Sequence, residues 1–476
     1  MYTIALHFIF VVGFTLRIFL RDGLLPSSRM AWFMVVLTLP FVGSALYFLF
    51  GEIDLGHRAN AQQRKIFKII HGFASKFMPP PDDLEALVKP HFRAAFRYAR
   101  SVNGFNPLNG NRAELMGDAQ TARERLIEDI EAASETVHIL YYIWLNDCTG
   151  TNVANALIRA AKRGVICRVM VDGLGSRAFV KSPLWHEMAK AGVQTAIALP
   201  IDTPIRTLLT SRLDLRNHRK ITVIDGCITY CGSQNCADPE FRVKARHAPW
   251  VDIVLRMQGP VVAQQQMLFA SDWMKENDTP IDQLQIIPQP PAKNGFVAQA
   301  LGDGPTERMQ ASPQMFVTLI ETAQDELIIT TPYFVPDATV FEALCAAAYR
   351  QVKVTLIVPK HNDSWIVAAA SKSFYRNLLE AGARICEYRD GLLHSKTLTI
   401  DGQLLFMGSS NMDMRSFDLN YENDVLIQDT VLTRAVRERQ MVYISSSVIV
   451  QLDEVIQWRY YHRIWNNIIA TVGPVL

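Results

Sequence analysis

One string of residues occurs twice in this chain, and the repetition constrains the fold more than any other feature. The first copy is His218-Arg219-Lys220, four residues, Asp225, six residues, then Gly232-Ser233-Gln234-Asn235. The second is His394-Ser395-Lys396, Asp401 and Gly408-Ser409-Ser410-Asn411 at the same internal spacing. Both read H-x-K-x4-D-x6-G-S-x-N, and each landmark of the second copy stands 176 positions after its mate. Two copies in register imply two similar halves, each contributing one set of groups to a common site.

The spacing predicts local structure. Thr222-Val223-Ile224 and Leu398-Thr399-Ile400 read as strands. Residues i and i+2 of a strand share a face, so His and Lys of each motif point the same way. Asp225-Gly226 and Asp401-Gly402 are turn dipeptides between apolar runs, which predicts a hairpin. Each hairpin then offers an imidazole, an ammonium, a hydroxyl and an amide. Lysines and asparagines neutralise and hydrogen-bond phosphate oxygens. One histidine attacks phosphorus while the other protonates the leaving oxygen. This chemistry calls for no metal and no cofactor.

The repeat extends beyond the motif. Helix 120–133, strand 137–144, helix 152–163 and strand 167–171 are followed later by helix 313–323, strand 327–333, helix 338–349 and strand 352–358. Strand–helix–strand order implies parallel α/β units. Pro288-Gln289-Pro290-Pro291 continues neither a helix nor a central strand and marks a linker. The resulting division is 1–51 two membrane helices, 52–106 a basic connector, 107–280 the first half, 281–295 the linker and 296–476 the second half.

The duplicated motif resembles that of the phospholipase D superfamily. Together with the apolar N-terminus, it is similar to bacterial cardiolipin synthases of the phospholipase D type. The likeness also covers 26–52, Tyr142-Ile143-Trp144, 331–336 and 408–416. It implies an α/β fold of two phospholipase D-like halves related by pseudo-two-fold symmetry, with the active site between them and two transmembrane or membrane-embedded helices in front. It implies phosphatidyl transfer between two phosphatidylglycerol molecules, giving cardiolipin and glycerol through a phosphatidyl-histidine. His218 is then the nucleophile and His394 the acid and base; that choice comes from the resemblance, because the internal symmetry does not make it. Lys220, Lys396, Asn235 and Asn411 hold phosphate oxygens, and Ser233 and Ser409 support them. Asp252, 34 residues past His218, and Glu422, 28 past His394, match acidic residues that fix the histidine tautomers. Asp225 and Asp401 complete the motif and are carried with the catalytic set, although their place at a turn suits a structural role better.

Residues 2–20 are mostly apolar, and 31–50 contain 20 uncharged residues, a length that spans a bilayer core. A re-entrant or monotopic hairpin is the rival for both. Three arginines (Arg17, Arg21, Arg29) against four basic residues (Arg58, Arg64, Lys65, Lys68) do not set an orientation. The resemblance and seven cysteines without a CxxC pair point to a bacterial inner membrane with a cytoplasmic catalytic part. Cys227, Cys231 and Cys236 suit no familiar zinc spacing and read as core.

A formal net charge of +2 argues against nucleic acid as a partner. The basic connector suits anionic headgroups. The stretch 199–217 and the tail 458–476 read either as interfacial helices or as packed amphipathic ones. Homo-oligomerisation is left open. The rival functions are a membrane-bound phospholipase D releasing phosphatidic acid, a nuclease, and a scaffold that has lost its chemistry. The complete motifs and membrane segments count against the last two.

Overall fold

The computed structural model describes residues 2–21, 24, 26–51, 56–76, 84–200 and 214–471. The chain forms two compact units. The N-terminal residues up to 60 make one, and 61–200 with 215–474 make the other.

In the large unit each half supplies seven strands in the same order. The first half has β1 (Leu108–Leu115), β2 (Thr136–Tyr141), β3 (Ile166–Asp172), β4 (Gln194–Ala198), β5 (Ile221–Ile224), β6 (Ile228–Gly232) and β7 (Val254–Gln258). The second has β8 (Phe296–Asp303), β9 (Glu326–Thr330), β10 (Lys353–Pro359), β11 (Arg384–Tyr388), β12 (Thr397–Ile400), β13 (Leu404–Gly408) and β14 (Asn420–Gln428). All belong to one sheet, in the order β4-β3-β2-β5-β6-β7-β1-β8-β14-β13-β12-β9-β10-β11, with one further strand, Ser447–Ile449, antiparallel beyond β11. The order reads the same from either end once seven is added to each label. The antiparallel β1–β8 pair in the middle is therefore the seam of a pseudo-two-fold.

The helical spacing seen in the sequence produced the expected elements. Helix Ala119–Ala132 is capped by Asp118, helix Cys148–Lys162 by Asp147 and helix Ala338–Tyr349 by Asp337. Each aspartate accepts a hydrogen bond from the N–H three residues on, which the free first turn of a helix requires. These helices bury their apolar faces on the sheet, forming one core in each half around residues such as Leu126, Ile139 and Val169, or Leu319, Ile329 and Leu356. The β2–β3 and β9–β10 ladders are parallel, as the strand–helix–strand order predicted.

The connector 52–106, basic and partly amphipathic in sequence, packs on the cores of the large unit over its described residues from 61 on. Phe92, Ala95, Phe96, Ala99 and Val102 fall on one side of helix Arg93–Asn103 and enter the second half's core, while Ile66, Ile70 and Ala74 join the central core. Arg97 on the other face of that helix is exposed.

The second apolar run is not one helix. It is divided into Pro26–Thr38, Pro40–Leu46 and a π-helical turn, Tyr47–Gly51. Pro40 lacks the N–H that would continue the ladder, and Leu39 before it leaves helical geometry at φ −130°. These pieces pack back on Tyr2–Phe19 around Ile18, Val36 and Tyr47. Among the described residues no helix is long and apolar enough to cross a membrane. The expectation of two spanning helices is corrected on that point.

The stretch 199–217 lies largely outside the described residues. In the tail, helix Tyr460–Thr471 buries Ile469 with Val335 and Ala370, and it exposes Tyr460, Ile464 and Ile468. Packing accounts for one of its faces only.

Candidate active site

The two hairpins β5–β6 and β12–β13 carry the motifs. Asp225 and Asp401 turn the chain at φ 50° and 52°, each followed by a glycine at φ 61°. Their carboxylates do not reach the histidines. Asp225 accepts the N–H groups of Ser134, Glu135 and Thr136 at 2.8–2.9 Å. Asp401 accepts those of Gln324, Asp325 and Glu326 at 2.8–3.0 Å. Each pins its hairpin to the start of the neighbouring antiparallel strand, β2 or β9. Carried with the catalytic set from sequence, both are held in the structure by backbone N–H groups, the arrangement that their place at a turn suits.

The histidines meet at one cavity of about 490 Å³, lined by His218, His394, Asn235 and Asn411. The strand pairing that brings them there crosses between the halves. Arg216–Asn217 runs parallel to Asn420–Tyr421, and the His218 N–H donates to Tyr421 O at 2.9 Å. Leu392–Leu393 runs parallel to Trp250–Val251, and the His394 N–H donates to Val251 O at 2.9 Å. The next residue along each partner strand is a carboxylate. Consequently His218 Nδ1 pairs with Glu422, 2.8 Å from Oε2, and His394 Nδ1 pairs with Asp252 Oδ1 at 2.7 Å. Each half orients the other half's histidine. The acidic residues proposed from sequence are both present, but neither serves the histidine of its own half.

An ionised carboxylate only accepts, so each Nδ1 carries the proton and each Nε2 keeps its lone pair for the cavity. The motif serines hold these carboxylates. Ser233 Oγ donates to Asp252 at 2.6 Å, and Ser409 Oγ donates to Glu422. The motif glycines let the strands close in. A Cβ on Gly232 would lie 2.1 Å from Ile253 O, and one on Gly408 2.2 Å from Asn423 O. Ile253 and Asn423 are the residues just after the two carboxylates.

Lys220 Nζ donates to His218 O at 2.6 Å, and Lys396 Nζ donates to His394 O at 2.7 Å. Each ammonium keeps two further protons for a ligand. Asn235 Oδ1 accepts the Ile143 N–H at 3.2 Å, which leaves its NH2 to donate, whereas Asn411 Nδ2 already donates to Ser416 Oγ at 3.1 Å. The two motif amides are thus equivalent in sequence and differently engaged.

The motif side chains are buried and their charges act on one another. Burial and the two lysines hold His218 well below the usual imidazole value, with His394 and Arg415 adding to the effect. Burial and Lys396 lower His394 to about 4, and Asp252 partly opposes this. Burial lowers Lys220 to about 8, against the pull of Glu422 and Asp252. Burial and repulsion from Lys220 lower Lys396 to about 7. Glu422 is raised by burial; in Asp252, His394 and Lys396 outweigh the burial and lower it.

Several contributors were not singled out from sequence as site residues. Ser416 Oγ and Asn420 Nδ2 donate to Glu422 Oε1 at 2.8 and 3.1 Å. Tyr142 sets its ring edge-on to His218 at 4.9 Å, and the Trp250 ring lies 4.5 Å from His394. All four stand in stretches that the resemblance covers or that flank the acidic residues. Arg219 carried no such signal. Strand alternation turns it to the opposite face, where it is fully buried against Asp272 at 3.0 Å and Glu307 at 2.7 Å.

A family profile described as "Cardiolipin synthase, PLD-like domain" matches residues 126–273 and 316–440, and one described as "Phospholipase_D-nuclease N-terminal" matches 9–52. The chain is 35% identical to cardiolipin synthase A of Serratia proteamaculans over 99% of this chain and 97% of that one. It is 34% identical to cardiolipin synthase A of Proteus mirabilis over 100% and 98%. Among solved structures, phosphatidylserine synthase of Haemophilus influenzae shares the fold, with a TM-score of 0.60 and 16% identity over 80% of this chain and all of that one. This chain belongs to the cardiolipin synthase family of phospholipase D-like proteins.

Proposed function

We propose that the protein is a phosphatidyltransferase that joins two phosphatidylglycerol molecules into cardiolipin and releases glycerol. The observation that carries this reading is the pair of buried imidazoles, each fixed by a carboxylate from the opposite half, with Nε2 facing one cavity.

His218 Nε2 attacks phosphorus. The bond from phosphorus to the glycerol oxygen breaks, and His394 protonates that oxygen. The glycerol hydroxyl of a second phosphatidylglycerol then enters and gives its proton to His394. Its oxygen bonds to phosphorus as the phosphorus–nitrogen bond breaks, and His218 is restored.

Electrostatics support this assignment of roles. Burial, and after it the lysines, keeps both imidazoles neutral. A bound phosphodiester offsets that positive field. Asp252 opposes the depression at His394, so His394 takes up the proton first. His218, beside the additional cation Arg415, stays neutral and nucleophilic. Lys220, Lys396 and the Asn235 amide hold the phosphate oxygens, with Asn411 contributing less. The substrate is a membrane lipid, and the apolar N-terminal helical hairpin is the element that holds the protein at the bilayer.

Purified protein in mixed micelles with phosphatidylglycerol as sole phospholipid tests the reading, with products followed by lipid mass spectrometry. Cardiolipin and glycerol in equal amounts are expected. Phosphatidic acid without cardiolipin would make the protein a phospholipase.

A further inference from the structure

Helix Tyr460–Thr471 is docked by one side only. Asn466 and Ile469 are its buried residues, and Ile469 packs with Val335, Ala369 and Ala370. Tyr460, Ile464 and Ile468 stand four residues apart, and Tyr461 and Trp465 each follow one position later. At 3.6 residues per turn these five share an arc of about 140°. All five are exposed, from 49% to 79%. Contiguous exposed apolar side chains of this size mark a surface that meets another apolar phase.

The strip leads to the active-site cavity. The Trp465 ring stacks on Trp365, with centroids 6.0 Å apart and planes 15° from parallel, and Trp365 is itself exposed. Trp365 opens helix Trp365–Lys372, whose Ile366 and Val367 line the cavity. Val243 lines the cavity from the other half and is also exposed. Apolar groups therefore run from the cavity wall to the outer face of helix Tyr460–Thr471.

The charge of this surface has one sign. Segments 365–372 and 458–471 contain Lys372, Arg459 and Arg463 and no Asp or Glu. Tyrosine and tryptophan beside arginine is the composition that settles between hydrocarbon and headgroups, and the cations are drawn to anionic lipid. The cavity, about 490 Å³, has the size of a pocket for one drug-sized ligand. The acyl chains of a phospholipid must then stay outside it, in an apolar medium that reaches the cavity wall.

We propose that this strip is a membrane-docking surface of the large unit. Trp365, Ile464, Trp465 and Ile468 enter the hydrocarbon boundary of an anionic bilayer, and the cavity opens onto the headgroup layer. Lipid then reaches the histidines without leaving the membrane. The proposal rests on the lipid substrate of the reading above, but the contact itself is measured without turnover and stands or falls separately from the reaction catalysed.

The test reconstitutes the full chain in phosphatidylglycerol vesicles whose acyl chains carry bromine, which quenches tryptophans at the hydrocarbon. Wild type is compared with the double variant Trp365→Phe, Trp465→Phe. The amount of emission that bromine quenches should fall in the double variant. An unchanged amount would overturn the proposal, because both rings would then lie away from lipid. Ile464→Glu places a charge on the strip without touching the core. It should slow transfer from vesicles roughly tenfold, as a large apolar side chain is lost from the hydrocarbon boundary, while the rate on short-chain phosphatidylglycerol dissolved as monomers stays within about twofold. Both rates falling together, or neither falling, would also overturn it. Tryptophans shielded from bromine, with a detergent-solubilised mass that Ile464→Glu halves, would assign the strip to a second copy of the chain instead.

Discussion

Around His394 the supporting wall is apolar: Trp250 lies 4.5 Å from the imidazole, and Leu392 and Phe241 stand beside it. Around His218 the corresponding places belong to Asn420 and Arg216, with Arg415 alongside. The carboxylates differ in the same sense. Glu422 is gripped by Ser409, Ser416 and Asn420 besides His218, whereas Asp252 has Ser233 and His394. The motif groups are present in duplicate, and the walls beside them differ.

The largest expected effect comes from the crossed pairs. Glu422→Gln and Asp252→Asn each keep shape and remove the acceptor that fixes an imidazole tautomer. Each should lower turnover on the order of 10³–10⁴-fold with the fold retained, as steady-state rates and thermal unfolding would record together. Equal loss from both supports two histidines acting as one unit. Survival of either variant near wild-type rate would break the crossed arrangement.

The lysines sharpen the comparison through pH. Lys396 is charged below about 7 and Lys220 below about 8, so raising pH through that range discharges Lys396 first. The rate at limiting substrate should therefore fall as pH rises through 7–8. Saturating lipid should move the fall upward, because an anion favours the charged form. Lys396→Arg, which stays charged, should flatten the fall while lowering the rate. An unchanged alkaline limb in that variant would assign the limb to another group.

The smallest effect concerns activity at the turn aspartates, where the halves are alike. Asp225→Ala and Asp401→Ala each leave three backbone N–H groups without their acceptor. Each should cost about 2 kcal/mol of stability, visible as a lower denaturation midpoint. Activity per folded molecule should change less than threefold. A variant of full stability and no activity would return that aspartate to the chemistry.

Much of this was available from the sequence, for local reasons. The hairpins follow from residue alternation and turn dipeptides, and the α/β units follow from helical spacing, both of which act over a few residues. The histidines, lysines and both acidic residues could be named in advance. Their pairing could not. His218 meets Glu422 because Arg216–Asn217 lies along Asn420–Tyr421, a ladder between segments about 200 positions apart that only tertiary closure sets. The same holds for Asn411, whose amide faces Ser416 where its mate Asn235 faces Ile143. In the second apolar run, uncharged length with Pro40 taken as tolerated predicted one helix, and the missing N–H of Pro40 divides it. In 52–106 the charges hid an apolar stripe.

The central claim is that one site is built from two halves, with His218 as the group that becomes covalently attached. The direct measurement is to quench the enzyme during turnover with phosphatidylglycerol labelled at phosphorus, digest it and locate the label. The account predicts a phosphatidyl group on the peptide containing His218, absent in His218→Ala. Label on the peptide containing His394, or cardiolipin formed at full rate by His218→Ala, would contradict it.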